Sequence, residues 1–536
     1  MAAPSSSSSP SYPPSLTADQ LAYLTASFTD YALAHGLVVR PPPTLSPANP
    51  HNCLATSAPV TLFPSPFPRA PFDEARAIQT ACNELYARVA HDEPWLGALS
   101  RELARIDDFI GKLWDVHTRL KTEGGYHHRY SLGLFRSDYM VHRDARAGTA
   151  ALRQVEFNTI ASSFGALATK VSEMHRFLWR GGAYPTIDLL SDVSLPRNPA
   201  LESLADGLAK AHELYIADVA PERGYTLPSD ADFVSSAGPT SDYGIIFIVQ
   251  DGERNAFDQR WLEYHLTARY GIRVFRVTLP EIRKYSHHVR PNYELLFVPP
   301  HALDAKKQAV FEISVVYFRA GYGPADYPTQ DEWNARYFLE ESRAIKCPTI
   351  LTQLAGSKKV QQVLASRDAL ARFVPDEATT DRIFNTFAAI YPLDTSPVGL
   401  HARKLAFEQP GKYVLKPQRE GGGNNIYRDK IPDFLSGIDE EKWPSYILME
   451  LIQPPEVDNI VMRSGEMMQG KVVGELGVYG AVIWKDGEGK GEGAKDGVEV
   501  VYNREAGVLL RTKGSASEEG GVAAGFGCID SCVLVD

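Results

Sequence analysis

The stretch K-P-Q-R-E-G-G-G-N-N-I-Y, residues 416–427, carries the clearest chemical signal in this chain. A strand is predicted to end at Lys416, and three consecutive glycines follow Glu420. Such glycines let backbone N–H groups close around a phosphate without Cβ clashes. Lys416 can neutralise phosphate oxygens, and the Glu420 carboxylate suits Mg²⁺. A flexible Gly-rich turn is the alternative, but the polar residues around the glycines favour a nucleotide site, although not a Walker loop.

The composition is that of a globular protein. The chain has 536 residues, 44% of them hydrophobic and 23% charged, and this length predicts about two to four domains. No apolar run approaches the roughly 18 residues that span a bilayer, so we expect no membrane partner. The net charge of −11 argues against nucleic-acid binding, which normally needs a basic protein.

The cysteines and the N-terminal residues bear on the compartment. The five cysteines are scattered and form neither a C-x-x-C motif nor a paired zinc spacing. We interpret them as reduced thiols of an intracellular protein. Residues 1–15 are rich in Ser and Pro and lack the basic start and apolar core of a secretory signal. They are predicted to be a disordered tip, and the protein is predicted to be cytoplasmic.

The order of predicted elements indicates a mixed α/β (α+β) protein. Thr17 and Gln20 have capping-box spacing at the start of a helix that Gly36 would end. Alternating strands and helices predict a largely parallel sheet in the middle of the chain, and strands joined by turns after residue 405 predict an antiparallel sheet. Further helices are predicted at 73–90, 94–122, 201–215 and 257–270. The predicted strands cover 154–158, 244–250, 274–279, 295–299, 313–319, 413–416, 446–451, 459–463, 471–478 and 498–502. The intervening segments 179–198 and 485–497 are predicted to be loops.

Two further segments suit a magnesium-nucleotide site. Glu156 and Asn158 are two residues apart on a predicted strand, so both side chains face the same way and, with Glu420, could supply oxygen ligands to magnesium. A solvated strand face is the alternative. Arg511 and Lys513 precede a loop of small residues that can close over a ligand and bring cations to it, unless it is only a flexible loop.

Three more segments suit an anionic substrate. Arg136 is a candidate for a bidentate carboxylate clamp, with a surface salt bridge as the alternative. Arg319 follows a buried strand, where α/β folds place ligands. The segment E-R-N-A-F-D-Q-R, residues 253–260, opens a predicted helix and suits an anion. Together these residues indicate an ATP-dependent enzyme, and they leave open whether it is a ligase or a kinase.

The combined motifs resemble the eukaryotic glutathione synthetases, which are ATP-grasp ligases, and their fungal branch in particular. The similarity runs from about Leu132 to the C-terminus and includes L-F-R-S-D-Y-M, Q-V-E-F-N-T-I-A-S-S-F-G, V-V-Y-F-R-A-G-Y and T-Q-L-A-G-S-K-K-V-Q-Q. It implies an ATP-grasp fold with a helical N-terminal part, a parallel-sheet substrate domain and an antiparallel ATP-binding region. It also implies a homodimer that joins γ-glutamylcysteine to glycine through an acyl phosphate, with Mg²⁺ as cofactor and ATP as co-substrate.

The resemblance assigns roles to individual residues. Arg136 and Arg511 would be catalytic, and Glu156, Asn158 and Glu420 would hold magnesium. ATP would contact Met140, Glu156, Lys358, Lys416, Gly421, Gly422, Gly423, Asn424, Asn425, Tyr427, Met449, Glu450, Leu451, Ile452, Glu475, Lys513 and Glu519. The amino-acid substrates would contact Arg136, Ile160, Ala161, Ser162, Ser163, Glu253, Arg254, Asn255, Gln259, Arg319, Ala320, Gly321, Tyr322, Arg511, Val522 and Ala523.

Departures from the family pattern concern details of affinity. Leu451 stands where animal members carry a lysine, Ala320 replaces an acidic residue, and Glu519 replaces an aspartate.

We expect domain boundaries near residues 15, 230 and 350, which separate the tip, the N-terminal portion 16–230, a substrate domain 231–350 and the C-terminal region 351–536. A ligase for another small amino acid and a nucleotide-binding protein without turnover are the alternative functions.

Overall fold

The computed structural model describes residues 12–41, 53–143, 150–222, 243–300, 310–420, 423–463, 465–487, 497–518, 522, 525 and 527–536. The helices are α1 Ala18–Ala34, α2 Arg69–His91, α3 Glu93–Leu103, α4 Asp108–Glu123, α5 Gly165–Arg180, α6 Ala200–Leu214, α7 Ala256–Tyr270, α8 Leu279–Tyr285, α9 Gln330–Glu341, α10 Ile350–Ala355, α11 Lys358–Leu364, α12 Arg367–Phe373, α13 Glu377–Phe384, α14 Pro397–Glu408 and α15 Lys430–Ser436. None of the described helices is both long and apolar enough to cross a bilayer.

The strands are numbered in chain order. They are β1 Val38–Val39, β2 Thr56–Ser57, β3 Val60–Thr61, β4 Ser65–Pro68, β5 Ser131–Arg143, β6 Ala150–Asn158, β7 Tyr243–Ile248, β8 Arg273–Val277, β9 Ser286–Val289, β10 Glu294–Phe297, β11 Phe311–Phe318, β12 Ile345–Cys347, β13 Ile390–Pro392, β14 Tyr413–Pro417, β15 Ile426–Tyr427, β16 Tyr446–Glu450, β17 Val457–Arg463, β18 Glu466–Asp486, β19 Val498–Gly514, β20 Gly527–Asp530 and β21 Cys532–Val535.

One large mixed sheet organises the molecule. Its parallel part joins β8, β7, β11 and β12, and β12 continues in parallel onto β5. Its antiparallel part places β18 between β5 and β19, with β6 on the other side of β5. A separate antiparallel sheet has the order β13-β16-β14-β15. The predicted combination of a parallel and an antiparallel region is therefore confirmed.

The large sheet is buried on both faces. Along β7, Ile246 and Ile248 belong to one apolar core, whereas Ile245 and Phe247 belong to the core on the opposite face. Helices cover both faces, as expected for a sheet with parallel strands. The four-stranded sheet has its own smaller core around Leu415.

Most predicted elements are present, and two predictions were wrong in extent. The capping box of Thr17 and Gln20 starts α1, as predicted. The single helix expected at 94–122 is two helices, because the Asp107 carboxylate accepts from the N–H groups of Phe109 and Ile110 and starts α4 afresh. The strand expected at 471–478 is the middle of the longer β18, and the strand expected at 498–502 is only the start of the longer β19, with which β18 forms a hairpin. Helices α5 and α8–α15 were not predicted. Six of them have only six to eight residues, which is too few turns for a periodic pattern, but α5, α9 and α14 have 16, 12 and 12 residues and were missed.

Candidate active site

A cavity of about 540 Å³ lies between the large sheet and the four-stranded sheet. Strands β5, β6, β18 and β19 supply its walls on one side, and β14, β15 and β16 supply the other. The cavity therefore depends on the packing of two sheets that are separate in hydrogen bonding.

A cluster of lysines and carboxylates connects the two sides of this cavity. Nζ of Lys358 lies 2.9 Å from Oε2 of Glu156 and 3.1 Å from Oε1 of Glu420. Nζ of Lys416 donates to the carbonyl oxygen of Val155 at 2.9 Å. The cluster joins β6, the start of α11 and the end of β14, so three distant segments of the chain meet there.

The two carboxylates of this cluster differ in electrostatic environment. Burial raises the pKa of Glu420 to about 7, with a further contribution from the negative charge of Glu156. Burial acts the same way on Glu156, but Lys358, Lys416 and Arg511 outweigh it and hold the pKa of Glu156 well below its usual range. Burial lowers the pKa of Lys416. Glu156 is thus a stable anion, whereas Glu420 and Lys416 lose their charge more easily than they would in water.

Asp138 organises the wall that the large sheet supplies, where it is paired with Glu156 across β5 and β6. Its carboxylate accepts from Arg136 at 2.6 and 2.8 Å, from Arg511 at 2.8 Å and from the amide of Asn158 at 2.9 Å. Arg511 also pairs with Glu475. Asp138 has no exposed surface, so it holds both arginines in a fixed, desolvated geometry.

Gly477 makes room for this network. A Cβ atom at Gly477 would lie 2.7 Å from Cδ of Arg136 and 2.8 Å from Oδ1 of Asp138. Both distances are shorter than any Cβ contact that real structures tolerate. A residue without a side chain is therefore needed at this point of β18.

The end of β16 and the two residues after it form a wall suited to a flat apolar group. Met449, Glu450, Leu451 and Ile452 line the cavity together with Val414. Backbone hydrogen bonds hold the segment from both sides. The Leu451 N–H donates to the Lys412 carbonyl at 2.8 Å, and the Arg143 N–H donates to the Gln453 carbonyl at 3.1 Å. Backbone groups held in this way can read the edge of a base.

Arg319 lies behind the cavity wall. Its guanidinium donates to the Ser162 carbonyl and to the Ser163 hydroxyl, both at 2.8 Å. Asp258, 3.8 Å from Arg319, also accepts from the N–H groups of Phe164 and Ala166 and so supports the start of α5. The strand-end position predicted for Arg319 thus brings it to the serines that line the cavity.

Most of the predicted site residues meet in this cavity. Its lining includes Arg136, Met140, Glu156, Asn158, Ile160, Ala161, Ser162, Ser163, Tyr322, Lys358, Lys416, Glu420, Asn424, Asn425, Tyr427, Met449, Glu450, Leu451, Ile452, Glu475, Arg511, Lys513 and Val522. Glu253, Arg254, Asn255, Gln259, Arg319, Ala320, Gly321 and Gly423 are described but do not line it. Gly421, Gly422, Glu519 and Ala523 lie outside the described residues.

The sequence reasoning missed several residues of the site. Asp138 and Gly477 were not singled out, and neither were the wall residues Arg419, Arg428 and the segment 515–518. The alternation of Arg136 and Asp138 on one strand was a usable signal, because residues two apart share a face. The role of Gly477 had no local signal, since only strand pairing brings it to Arg136.

Comparison with known proteins identifies the family. The family model described as eukaryotic glutathione synthase, ATP binding domain, matches residues 18–534. The chain is 37% identical to the glutathione synthetase large chain of Schizosaccharomyces pombe, over 97% of this chain and 98% of that protein. It is 36% identical to the human glutathione synthetase, over 96% of each chain. The fold is similar to that of a glutathione synthetase-like effector from Globodera pallida, with a TM-score of 0.70, 19% identity and coverage of 98% of this chain and all of the other. The chain belongs to the eukaryotic glutathione synthetase family.

Proposed function

We propose that this protein is an ATP-dependent ligase that joins γ-glutamylcysteine to glycine and releases ADP and phosphate. One observation carries the proposal: two groups of charged residues occur in the same cavity. In one group Lys358 contacts the carboxylates of Glu156 and Glu420. In the other, Arg136 and Arg511 both donate to Asp138. The first arrangement suits a metal-bound polyphosphate, and the second suits a reacting carboxylate. Membership of the family supports the same reaction.

The oxygen donors present fit magnesium. Glu156, Glu420 and Asn158 line the cavity. The side-chain N–H of Asn158 donates to Asp138, so its side-chain carbonyl oxygen is the atom that can bind the metal. No group of three His, Cys, Asp or Glu suited to a metal occurs in the described part of the chain. Mg²⁺ needs only one or two carboxylates when substrate phosphates and water complete its shell. Bound there, Mg²⁺ would neutralise charge on the transferring phosphoryl group.

The lysines and the β16 segment would hold ATP. Lys358, Lys416 and Lys513 bring three cations to one cavity and would contact phosphate oxygens. Met449 and Ile452 would border the adenine, and the held backbone between them would read its edge. Asn425 donates to the Tyr427 hydroxyl at 3.2 Å, which orders the far side of the triple-glycine segment.

The arginines would orient the dipeptide. In the first step an oxygen of the cysteinyl carboxylate attacks the γ-phosphorus, and the bond from phosphorus to the ADP oxygen breaks. In the second step the amine of glycine attacks the acyl carbon, loses a proton, and the bond from carbon to the phosphate oxygen breaks. Arg136 and Arg511 would stabilise the negative charge on the reacting carboxyl oxygens, while Arg319, through Ser162 and Ser163, would fix the rest of the dipeptide.

Water must be kept from the acyl phosphate. The segment 515–518 and Val522 line the cavity next to Lys513, so this part of the wall is the candidate lid. We also propose that the protein works as a cytoplasmic homodimer, in keeping with the resemblance drawn from the sequence.

ADP release tests the function directly. We would measure it with γ-glutamylcysteine and Mg-ATP, with glycine added or withheld, and identify the product by mass. Glycine-dependent ADP with a glutathione mass is expected. ADP release with a product from alanine or serine would move the proposal to the related ligase, and ADP release without any amine would refute ligation.

Two variants test the cluster. Lys416→Ala and Glu420→Ala should abolish ligation while the far-ultraviolet circular dichroism stays unchanged. Lys471→Ala is the control, because Lys471 is an exposed lysine paired with Asp458 outside the cavity. Retained ligation in either purified cluster variant would contradict the phosphate and metal roles.

A further inference from the structure

A second cavity, of about 560 Å³, lies on the outer side of β19. One face of α6, the end of α7 and the start of β19 enclose it, and it shares no lining residue with the first cavity. Along β19, Tyr502 of the second cavity and Arg511 of the first are nine residues apart, which is about 30 Å of extended strand. A volume of this size is typical of pockets for small organic molecules.

The inner wall of the second cavity is apolar and aromatic. Ala209 and Ile216 come from the α6 side, Ile272 follows α7, and the rings of Tyr270 and Tyr502 complete the wall. Apolar walls with few polar groups are typical of sites that bind flat organic ligands.

His212 places one hydrogen-bond acceptor in this wall. The side chain is buried, and Nδ1 lies 2.7 Å from the Ser314 hydroxyl, which itself donates to the Gly244 carbonyl at 3.1 Å. We assign the Ser314 proton to Gly244, since a carbonyl oxygen can only accept; in this assignment Nδ1 carries the proton of the ring and Nε2 presents a lone pair. Nε2 has no hydrogen-bond partner among the described residues and is not enclosed, so it is reached from the cavity. Burial lowers the pKa of His212 to about 4, which keeps the ring neutral.

The rim of the cavity carries both signs of charge. Asp206 accepts from the Tyr270 hydroxyl, and Lys210 pairs with Glu213 at 3.1 Å. Arg504 lies over the Tyr502 ring, with 5.4 Å between the guanidinium carbon and the ring centroid. Two acids and two bases around an apolar wall match a ligand whose head group is a zwitterion rather than a simple anion.

The backbone beside the cavity is unusual. Residues Tyr215–Val219 form a π-helical turn, and the Ala220 N–H donates to the Tyr215 carbonyl. The Tyr215 hydroxyl donates to the buried Glu312 at 2.7 Å, which anchors the turn to β11. Ile216 and Ala217 from this turn line the cavity. Single π-helical turns are rare and occur often at functional sites.

We propose that the second cavity binds a small aromatic zwitterion, an α-amino acid whose ring carries an N–H or O–H donor. The donor of the ring bonds to Nε2 of His212, the ring lies on the apolar wall, and the ammonium and carboxylate groups meet the acids and bases of the rim. This site is independent of the ligation chemistry in the first cavity, so its test needs no catalytic turnover.

Calorimetric titration of the full chain tests the proposal, with L-tryptophan as the probe. We expect saturable binding of one molecule per chain, and about tenfold weaker binding of 1-methyl-L-tryptophan, which lacks the ring donor that His212 would accept. The methylated probe tests His212 without changing the fold of the protein. No saturable heat with L-tryptophan, or equal affinity for both probes, would overturn the proposal.

Two variants localise the binding. Ala217→Trp adds a large ring at an exposed position of the cavity wall and should abolish binding. Arg504→Gln should weaken tryptophan binding several-fold. Arg101→Gln is the control and should leave binding unchanged, because Arg101 is also exposed and lies over an aromatic ring but does not line the cavity. Unaltered binding in Ala217→Trp would place the ligand elsewhere and refute the site.

Discussion

The substitution Asp138→Asn tests whether the buried network positions the two arginines for the reaction. Asp138 is completely buried and accepts hydrogen bonds from Arg136, Arg511 and Asn158 at 2.6 to 2.9 Å. Asparagine keeps the shape of the side chain but removes its charge and turns one acceptor into a donor that faces a guanidinium.

The expected loss of stability follows from this change. Removing one partner of a buried ion pair costs about 3–5 kcal/mol, because the remaining charge is left uncompensated. Glu475 still pairs with Arg511, and the Ser163 carbonyl still accepts from Arg136 at 3.3 Å. We therefore expect the lower end, about 3 kcal/mol, in the free energy of unfolding.

The kinetic effect separates positioning from stability. If Asp138 orients Arg136 and Arg511, the variant should lose about 100-fold in kcat/KM for γ-glutamylcysteine, since small misplacements of catalytic groups have effects of this size. The KM for Mg-ATP should change less, because Lys358 and Lys416 have no hydrogen bond to the network and only Asn158 connects it to the proposed magnesium ligands. Steady-state ADP release and urea unfolding measure the two quantities.

Glu340→Gln is the matched control for this experiment. Glu340 and Arg336 form an equally buried pair at 2.9 Å, and neither residue lines the candidate active site. The control should lose similar stability and keep its kinetics. If Asp138→Asn loses stability but keeps kcat/KM, the network is only structural and the positioning argument is refuted.

Three further changes have expected outcomes. Gly477→Ala should lower kcat/KM at least tenfold by displacing Arg136. Gly470→Ala is the control on the same strand, because a Cβ there meets nothing within 4 Å, and it should have no kinetic effect. If the two variants have the same kcat/KM, the close packing at Gly477 is refuted. Burial raises the pKa of Asp530 from 3.8 to about 6, so the folded state retains a proton that the unfolded state releases, and stability falls as the pH rises through this window. Asp530→Asn should therefore remove about 3 kcal/mol of pH dependence in urea unfolding between about pH 4 and about pH 6, and an unchanged pH profile would contradict the raised pKa. Thr17→Ala removes the side-chain acceptor that caps α1 and should lower the free energy of unfolding, measured in urea, by about 1 kcal/mol; an unchanged free energy would contradict a stabilising cap.

The sequence by itself determined the local features of this protein. The capping box of Thr17 acts over three residues, and the shared face of Glu156 and Asn158 depends only on the alternation of a strand. The types of residue in the candidate site, lysines, carboxylates and glycines, were also readable, since each reflects the chemistry of a phosphate or a metal. The break at Asp107 has the same local origin, but the apolar pattern that continues on both sides hides it.

The tertiary structure alone decided how these residues meet. Arg136 faces Asn158 through the pairing of β5 with β6, Glu475 faces Arg511 through the pairing of β18 with β19, and Gly477 faces Asp138 through the pairing of β18 with β5. These registers follow from which face of each strand is buried against the two cores, and that burial depends on residues hundreds of positions apart. For the same reason no local pattern predicts the second cavity, whose walls come from α6, α7 and β19.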